Sequence, residues 1–236
     1  DDENIDLNLD IHHDKKPIIK FQSGNYVHSI YKTQTDFSGI NFKELFVADG
    51  HHRIEGFAQL DVQKDTKFLA IVFPKSKCSN LAYDRSVKFP KEYKKDSFII
   101  DLEKYFYTEE LKYHENIDRF FVLYFQGKFM KIDLKDDYAS NGADCIDFGE
   151  FILKEILNIQ DETNDQRVEF VPPSLGTDYL INQVDTGITD VSTLMRPVSM
   201  DLVIDYSKNK KFMPPKATWF EPKPLDGLFF YNVLDG

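Results

Sequence analysis

Apolar and polar residues follow two rhythms along this chain. Residues 45–48 (Leu-Phe-Val-Ala) form a short unbroken apolar run, the pattern of a buried strand. After Gly50 the apolar positions Ile54, Phe57, Ala58 and Leu60 recur at helical spacing. A second unbroken run, residues 67–73, ends at Pro74 and predicts a central buried strand. Residues 45–73 therefore read as strand, tight turn, helix and strand. Either a right-handed crossover onto a parallel neighbour or an antiparallel return fits.

The flanking pattern is mixed. Ile5, Leu7, Leu9 and Ile11 alternate like an edge strand, and His12-His13-Asp14 before Pro17 reads as a solvated turn. Residues 17–21 and 26–32 flank Ser23-Gly24-Asn25, which is hairpin chemistry, and a polar connection over 33–41 follows. Further on, 98–101 predicts a strand and 102–111 with Tyr113 a helix. Residues 119–125 and 128–134 are strands joined by Gln126-Gly127. Asp147 is placed to cap a helix running to Leu157, and 161–165 is an acidic loop. Strands at 167–171 and 189–196, helices at 177–186 and from Ser199, and a last strand at 228–233 complete the reading. Strands and helices mix without strict alternation, so the expected class is α+β, with a mixed sheet and helices. The polar stretch 136–144, with Asn141-Gly142, divides the chain into expected parts 1–137 and 138–236, packed as one unit.

Composition narrows the function. With 236 residues and 42% hydrophobic side chains the chain can bury a core. A net charge of −11 argues against a nucleic-acid partner, which needs a concentrated basic surface. Cys78 and Cys145 are too few for a disulfide scaffold and lack zinc-site spacing. No apolar run approaches about 18 residues and no signal peptide opens the chain, so a cytoplasmic protein without a membrane partner is expected.

The chemistry gathers at Asp49-Gly50-His51-His52-Arg53, between the first run and the helix. A helix N-terminus presents free N–H groups and the positive end of its dipole, which favours a phosphate. Arg53 adds a bidentate fork, and the two imidazoles donate hydrogen bonds or move protons. Tyr83 and Arg85, on alternate positions of an extended segment, share one face. The prolines near the C-terminus fix an extended backbone able to present Lys216 and Thr218.

Four segments, in order, resemble a family of uncharacterised domains that carries a DGHHR motif: Ala48-Asp49-Gly50-His51-His52-Arg53, Tyr83-Asp84-Arg85, Arg167-Val168-Glu169-Phe170-Val171, and Met213-Pro214-Pro215-Lys216-Ala217-Thr218-Trp219-Phe220-Glu221-Pro222-Lys223. Members look like relatives of the ParB/sulfiredoxin-like fold, and the motif is similar to that of free serine kinases. The resemblance implies a ParB/sulfiredoxin-like core around a strand–turn–helix site for nucleotide phosphates. It implies ADP or ATP with Mg as cofactors and a phosphoryl transfer to a small hydroxyl substrate, L-serine first. The alternative is a non-catalytic nucleotide or phosphometabolite sensor. Asp49, His51 and His52 would be the catalytic groups, with Asp49 also the metal ligand. Gly50, His51, His52, Arg53, Arg85, Lys216 and Thr218 would contact the nucleotide. Free serine kinases draw a catalytic carboxylate from upstream of this turn. No matching motif stands before Asp49, so an N-terminal portion of the same protein is an expected partner. A histidine takes the place of the sulfiredoxin cysteine, which argues against sulfinic-acid reduction.

Overall fold

The computed structural model describes residues 16–24, 26–32, 44–59, 67–112, 120–225 and 227–232. The chain divides into two compact units, Asp1–Cys78 with Pro224–Gly236, and Ser79–Lys223. The stretch 136–144, expected as an internal boundary, runs within the second unit.

In the first unit, β1 (Ile19–Ser23) and β2 (Tyr26–Ile30) pair antiparallel, with Ser23 opposite Tyr26. This is the expected hairpin, and Gly24 supplies the positive φ of 58° that the turn requires. Helix α1 (His51–Ala58) follows Gly50 as expected. The two apolar runs depart from expectation. Neither 45–48 nor 67–73 is a strand, and both face solvent: Leu45 is 64% and Phe68 54% exposed. A strand needs a hydrogen-bonded neighbour as well as apolar side chains, and no strand among the described residues pairs with either run. Phe68 packs instead on Phe57 of α1, with ring centroids 5.4 Å apart. The expected final strand, 228–233, is likewise not a strand over its described residues. The alternating segment at Ile5–Ile11, the turn at His12–Asp14, Leu60 and the connection 33–41 lie outside the described residues.

The second unit grows from β6 (Val122–Phe125), whose four residues are all buried. Alternation sends Leu123 and Phe125 into one cluster and Val122 and Tyr124 into another, so this strand needs cover on both faces. Gln126 and Gly127, with φ of 47° and 78°, return the chain into β7 (Lys128–Leu134) through the tight turn expected there. The full sheet has the order β5-β7-β6-β9-β4-β8, with β4 at Asp84–Val87, β5 at Phe106–Leu111, β8 at Val168–Val171 and β9 at Val191–Leu194. Every ladder in it is antiparallel. With helices on its faces this is an α+β fold.

One face carries α2 (Phe98–Leu102) and a long helical segment that opens as α3 (Asp144–Asp147) and continues π-wound over Phe148–Ile156. The other carries α4 (Gly176–Asp185), through Leu180 and Val184. Helix α5 (Met200–Lys208) begins at Ser199, whose Oγ accepts from the Leu202 N–H at 3.2 Å. The expected order at 98–111 is reversed. Phe98 and Leu102, four residues apart, are buried together on a helix, while 106–111 pairs with β7 as an edge strand. Asp147 does not cap the helix but closes α3, accepting from Ser140 Oγ at 2.9 Å and the Asn141 N–H at 3.0 Å.

Leu123 is fully buried at the centre of this sheet. Leu123→Ala is expected to lower stability by about 2–5 kcal/mol through lost burial and a residual cavity. Urea denaturation followed by circular dichroism measures it; a loss below roughly 1 kcal/mol would contradict the central position.

Candidate functional site

The turn before α1 lies in the first unit. Gly50 occupies the left-handed region (φ 83°, ψ 26°), and its carbonyl accepts the N–H groups of Arg53 at 3.0 Å and Ile54 at 3.1 Å. That closes the first helical turn without any side-chain cap. The N–H groups at positions 51 and 52 come before the first helical bond and have no acceptor within the helix. A Cβ built on Gly50 would meet the Arg53 guanidinium, with Nε at 3.1 Å and Nη2 at 3.2 Å. The glycine therefore allows the guanidinium to fold back over the turn. There Arg53 Nη2 donates to Asp49 Oδ2 at 3.1 Å, both side chains well exposed. His51 is exposed, and the imidazole of His52 lies outside the described part of the structure.

The other expected contacts lie in the second unit. Strand β3 (Ser79–Leu81) pairs with β10 (Trp219–Glu221), which straps the proline-rich segment down. Asn80 fixes this strap from both sides: Oδ1 accepts the Trp219 N–H at 2.9 Å, and Nδ2 donates to the Val198 carbonyl at 2.8 Å. Lys216, at a φ of 52°, holds its ammonium 5.3 Å from the Tyr83 ring centroid, and Thr218 is half-buried.

Arg85 is neither a surface residue nor open to a ligand phosphate within its unit. It is fully buried. Its Nη1 donates to the carbonyls of Tyr83 at 3.0 Å and Asp84 at 3.3 Å, and its Nη2 to those of Pro215 at 3.1 Å and Lys216 at 3.4 Å. Its guanidinium carbon stands 4.3 Å over the Phe170 ring, and Nε lies 3.5 Å from Glu162 Oε2. Three of the four ordered segments thus meet at one cation. Phe170 and Pro215 touch it, and Glu162 supplies the counter-charge. Sequence reading missed Glu162, which looked like one acid among several in the loop 161–165.

Burial shapes the titration of this cluster. Desolvation raises Asp84 to about 7, opposed by the hydrogen bond its Oδ1 accepts from Met195 N–H at 2.8 Å and by the neighbouring Arg85 charge. Desolvation also raises Glu162, with Arg85 pulling it back, and pushes the buried Cys145 thiol up to about 11, so it stays protonated and unreactive at neutral pH.

Among the described residues no three His, Cys, Asp or Glu side chains gather to hold a metal, and no helix is long and apolar enough to cross a membrane. Residues 1–161 match the family described as "Protein of unknown function (DUF1015)". The chain belongs to this family. No curated protein sequence matches it. Among solved structures it is similar to a free serine kinase in complex with AMP, at 14% identity and a TM-score of 0.40 over 74% of this chain and 66% of that one. It is similar to a variant of a free serine kinase with ADP, at 16% identity, a TM-score of 0.38 and the same coverage of each chain. A conserved hypothetical protein from Pyrococcus furiosus gives 15% identity and 0.40, over 74% of this chain and 68% of that one. The chain thus spans slightly less than two thirds of the length of the free serine kinases it matches.

Removing one partner of the buried pair is expected to cost more than removing both. Arg85→Ala should destabilise by about 3–5 kcal/mol, because it strands Glu162, and Arg85→Met with Glu162→Gln should recover much of that. Chemical denaturation of the variants measures it; a double variant no more stable than Arg85→Ala would contradict the pairing. Asp84 gives a pH signature. Its folded pKa lies above its unfolded one, so the folded state binds the proton more tightly. That contribution is whole below about pH 4 and is lost as pH rises towards 7, by roughly 4 kcal/mol. Asp84→Asn, neutral throughout and still an acceptor for Met195, should gain stability over the native chain as pH rises from about 4 to about 8. Denaturation midpoints across that range test it; parallel curves would contradict the assignment.

Proposed function

We propose that this chain supplies the phosphate-binding turn of a nucleotide-dependent small-molecule kinase. The acceptor would be a hydroxyl, that of free L-serine first, and the protein would work in the cytoplasm. The observation that carries the reading is the pairing of Gly50 and Arg53. A glycine in the left-handed region lets a guanidinium lie over an uncapped helix start, at a place any Cβ would crowd. Unpaired backbone donors and a planar cation at one turn are a combination that suits phosphate oxygens.

The residues fit the cofactor in part. The backbone at 50–52, the two imidazoles and Arg53 would hold the phosphates of ADP or ATP. Asp49 would hold magnesium with phosphate oxygens completing the shell, since this ion keeps few protein ligands. The nucleotide, when bound, supplies the phosphoryl group. The chain's own part is to position it and to offset its charge, which is most of what such a transfer asks of a protein. Lys216 and Thr218 remain proposed nucleotide contacts. Arg85 is not carried forward as one, because carbonyls, Glu162 and the Phe170 ring surround its guanidinium. An N-terminal portion of the same protein is proposed as the source of the catalytic base.

A second reading is a non-catalytic nucleotide or phosphometabolite sensor, which uses the same turn and needs no base. Calorimetry separates binding from its absence. ADP or ATP with magnesium is expected to bind, His52→Ala and Arg53→Ala each to weaken binding by about tenfold, and Gly50→Val to abolish it. No heat with either nucleotide would overturn the kinase reading and the nucleotide form of the sensor. Turnover of labelled ATP or ADP with a panel of free amino acids then decides between them: product favours the kinase, and binding without product the sensor.

A further inference from the structure

The loop between α5 and β10 gathers charge of one sign in a chain of the other. Residues 208–216 hold four lysines and no acid, so the rest of the chain carries −15 against a whole of −11. All four lysines, Lys208, Lys210, Lys211 and Lys216, are exposed. Lys210, Lys211 and Lys216 enter no ion pair among the described residues. Asp205, the acid that precedes them on α5, accepts from Asn209 Nδ2 at 3.0 Å. Amid these lysines stands Phe212, 96% exposed, more than any other large apolar side chain among the described residues.

A single exposed apolar residue is ordinary. What sets this one apart is the way its loop is held. Helix α5 ends in a Schellman closure, in which the Lys210 N–H donates to the Ser207 carbonyl at 3.1 Å and the Lys211 N–H to that of Tyr206 at 2.9 Å. The first of these positions requires a left-handed residue, usually glycine, and Lys210 takes it at a φ of 53°. The second often carries an apolar side chain that packs back on the helix, and here it is Lys211. Lys208, in the last turn, already offsets the helix dipole. Local stability therefore accounts for neither Lys210 nor Lys211. The far end of the loop is fixed as well. Arg85 Nη2 donates to the carbonyls of Pro215 and Lys216, and Met213 packs on the core while its neighbour Phe212 stays in water.

We propose that this loop docks on an anionic lipid bilayer, with the Phe212 ring entering the headgroup region and the surrounding lysines meeting lipid phosphates and carboxylates. Charge complementarity selects an anionic partner. The exposure of the ring selects a bilayer, which receives a projecting side chain without needing a complementary shape, while lysine stems reach back to the charged surface. A nucleic-acid strand asks for successive stacking rings along a basic groove, and this loop offers one ring. The acidic remainder of the chain is repelled by the same lipids. Screening over about 8 Å at physiological salt confines that repulsion to whatever lies close to the bilayer. An aromatic and a basic patch, each weak alone, together give a reversible contact that needs no membrane-spanning helix. The proposal does not rest on the kinase reading.

The test is cosedimentation of the full chain with phosphatidylcholine vesicles containing about one third phosphatidylserine, in about 0.1 M salt. The chain is expected to pellet with these vesicles, to stay in solution with pure phosphatidylcholine, and to be released at about 0.5 M salt. Lys210→Ala with Lys211→Ala should weaken binding by at least about tenfold, and Phe212→Ser by at least about threefold. Both variants change exposed side chains alone, so their thermal midpoints should stay near that of the native chain. The proposal is overturned by an absence of pelleting or by equal pelleting with pure phosphatidylcholine. It is also overturned if either variant binds as the native chain does, which would place the contact on the apolar runs of the first unit. Loop-dependent binding of poly-glutamate without vesicle binding would overturn it in favour of an acidic peptide.

Discussion

A fully buried guanidinium organises the second unit. Taking an arginine out of water is costly unless nearly every donor finds an acceptor, and the chain answers that demand from four directions. The carbonyls of Tyr83 and Asp84 come from the start of its own strand and the residue before it, those of Pro215 and Lys216 from the C-terminal strap, the carboxylate of Glu162 from a loop, and the ring of Phe170 from the neighbouring strand. Segments more than a hundred residues apart in sequence are brought to one point by a charge none of them can leave unmatched. The prolines of the strap fit this demand, because proline has no N–H to satisfy and offers its carbonyl freely.

That constraint explains why the local reading of Arg85 failed while the reading of its neighbourhood succeeded. Alternation placed Arg85 on an extended segment, where it lies in β4, while Tyr83 falls in the link before that strand; periodicity reports which face a side chain takes and says nothing of what covers that face. The partners are supplied by residues with no local signal, Glu162 above all. Where partners are local, the sequence was legible. Gln126-Gly127 needs two positive φ angles and makes its own turn, Ser199 caps its own helix, and Gly50 sits where the chain must pass through the left-handed region.

The unbroken apolar runs were the least legible part. Residues 45–48 and 67–73 carry the composition of buried strands, yet composition cannot provide a neighbouring ladder. Residues 98–111 show the complementary error: Phe98 and Leu102 are four apart, a helical pair that a short β-branched run disguised, and the strand lies after them. The nine-residue π winding over Phe148–Ile156 was not legible, because apolar residues at Phe148, Phe151, Ile152 and Ile156 have the spacing of an ordinary amphipathic helix.

The solvent-facing apolar runs also bear on how the protein behaves in solution. Exposed apolar runs such as 67–73 are the kind of surface on which chains adhere to one another. A net charge of −11 opposes that adhesion by mutual repulsion. The repulsion acts over a screening length of about 10 Å at 0.1 M salt and about 3 Å at 1 M, whereas apolar attraction is not screened. The colloidal balance of this molecule is therefore set by ionic strength: dilute buffer keeps its copies apart, and concentrated salt leaves the sticky segments unopposed.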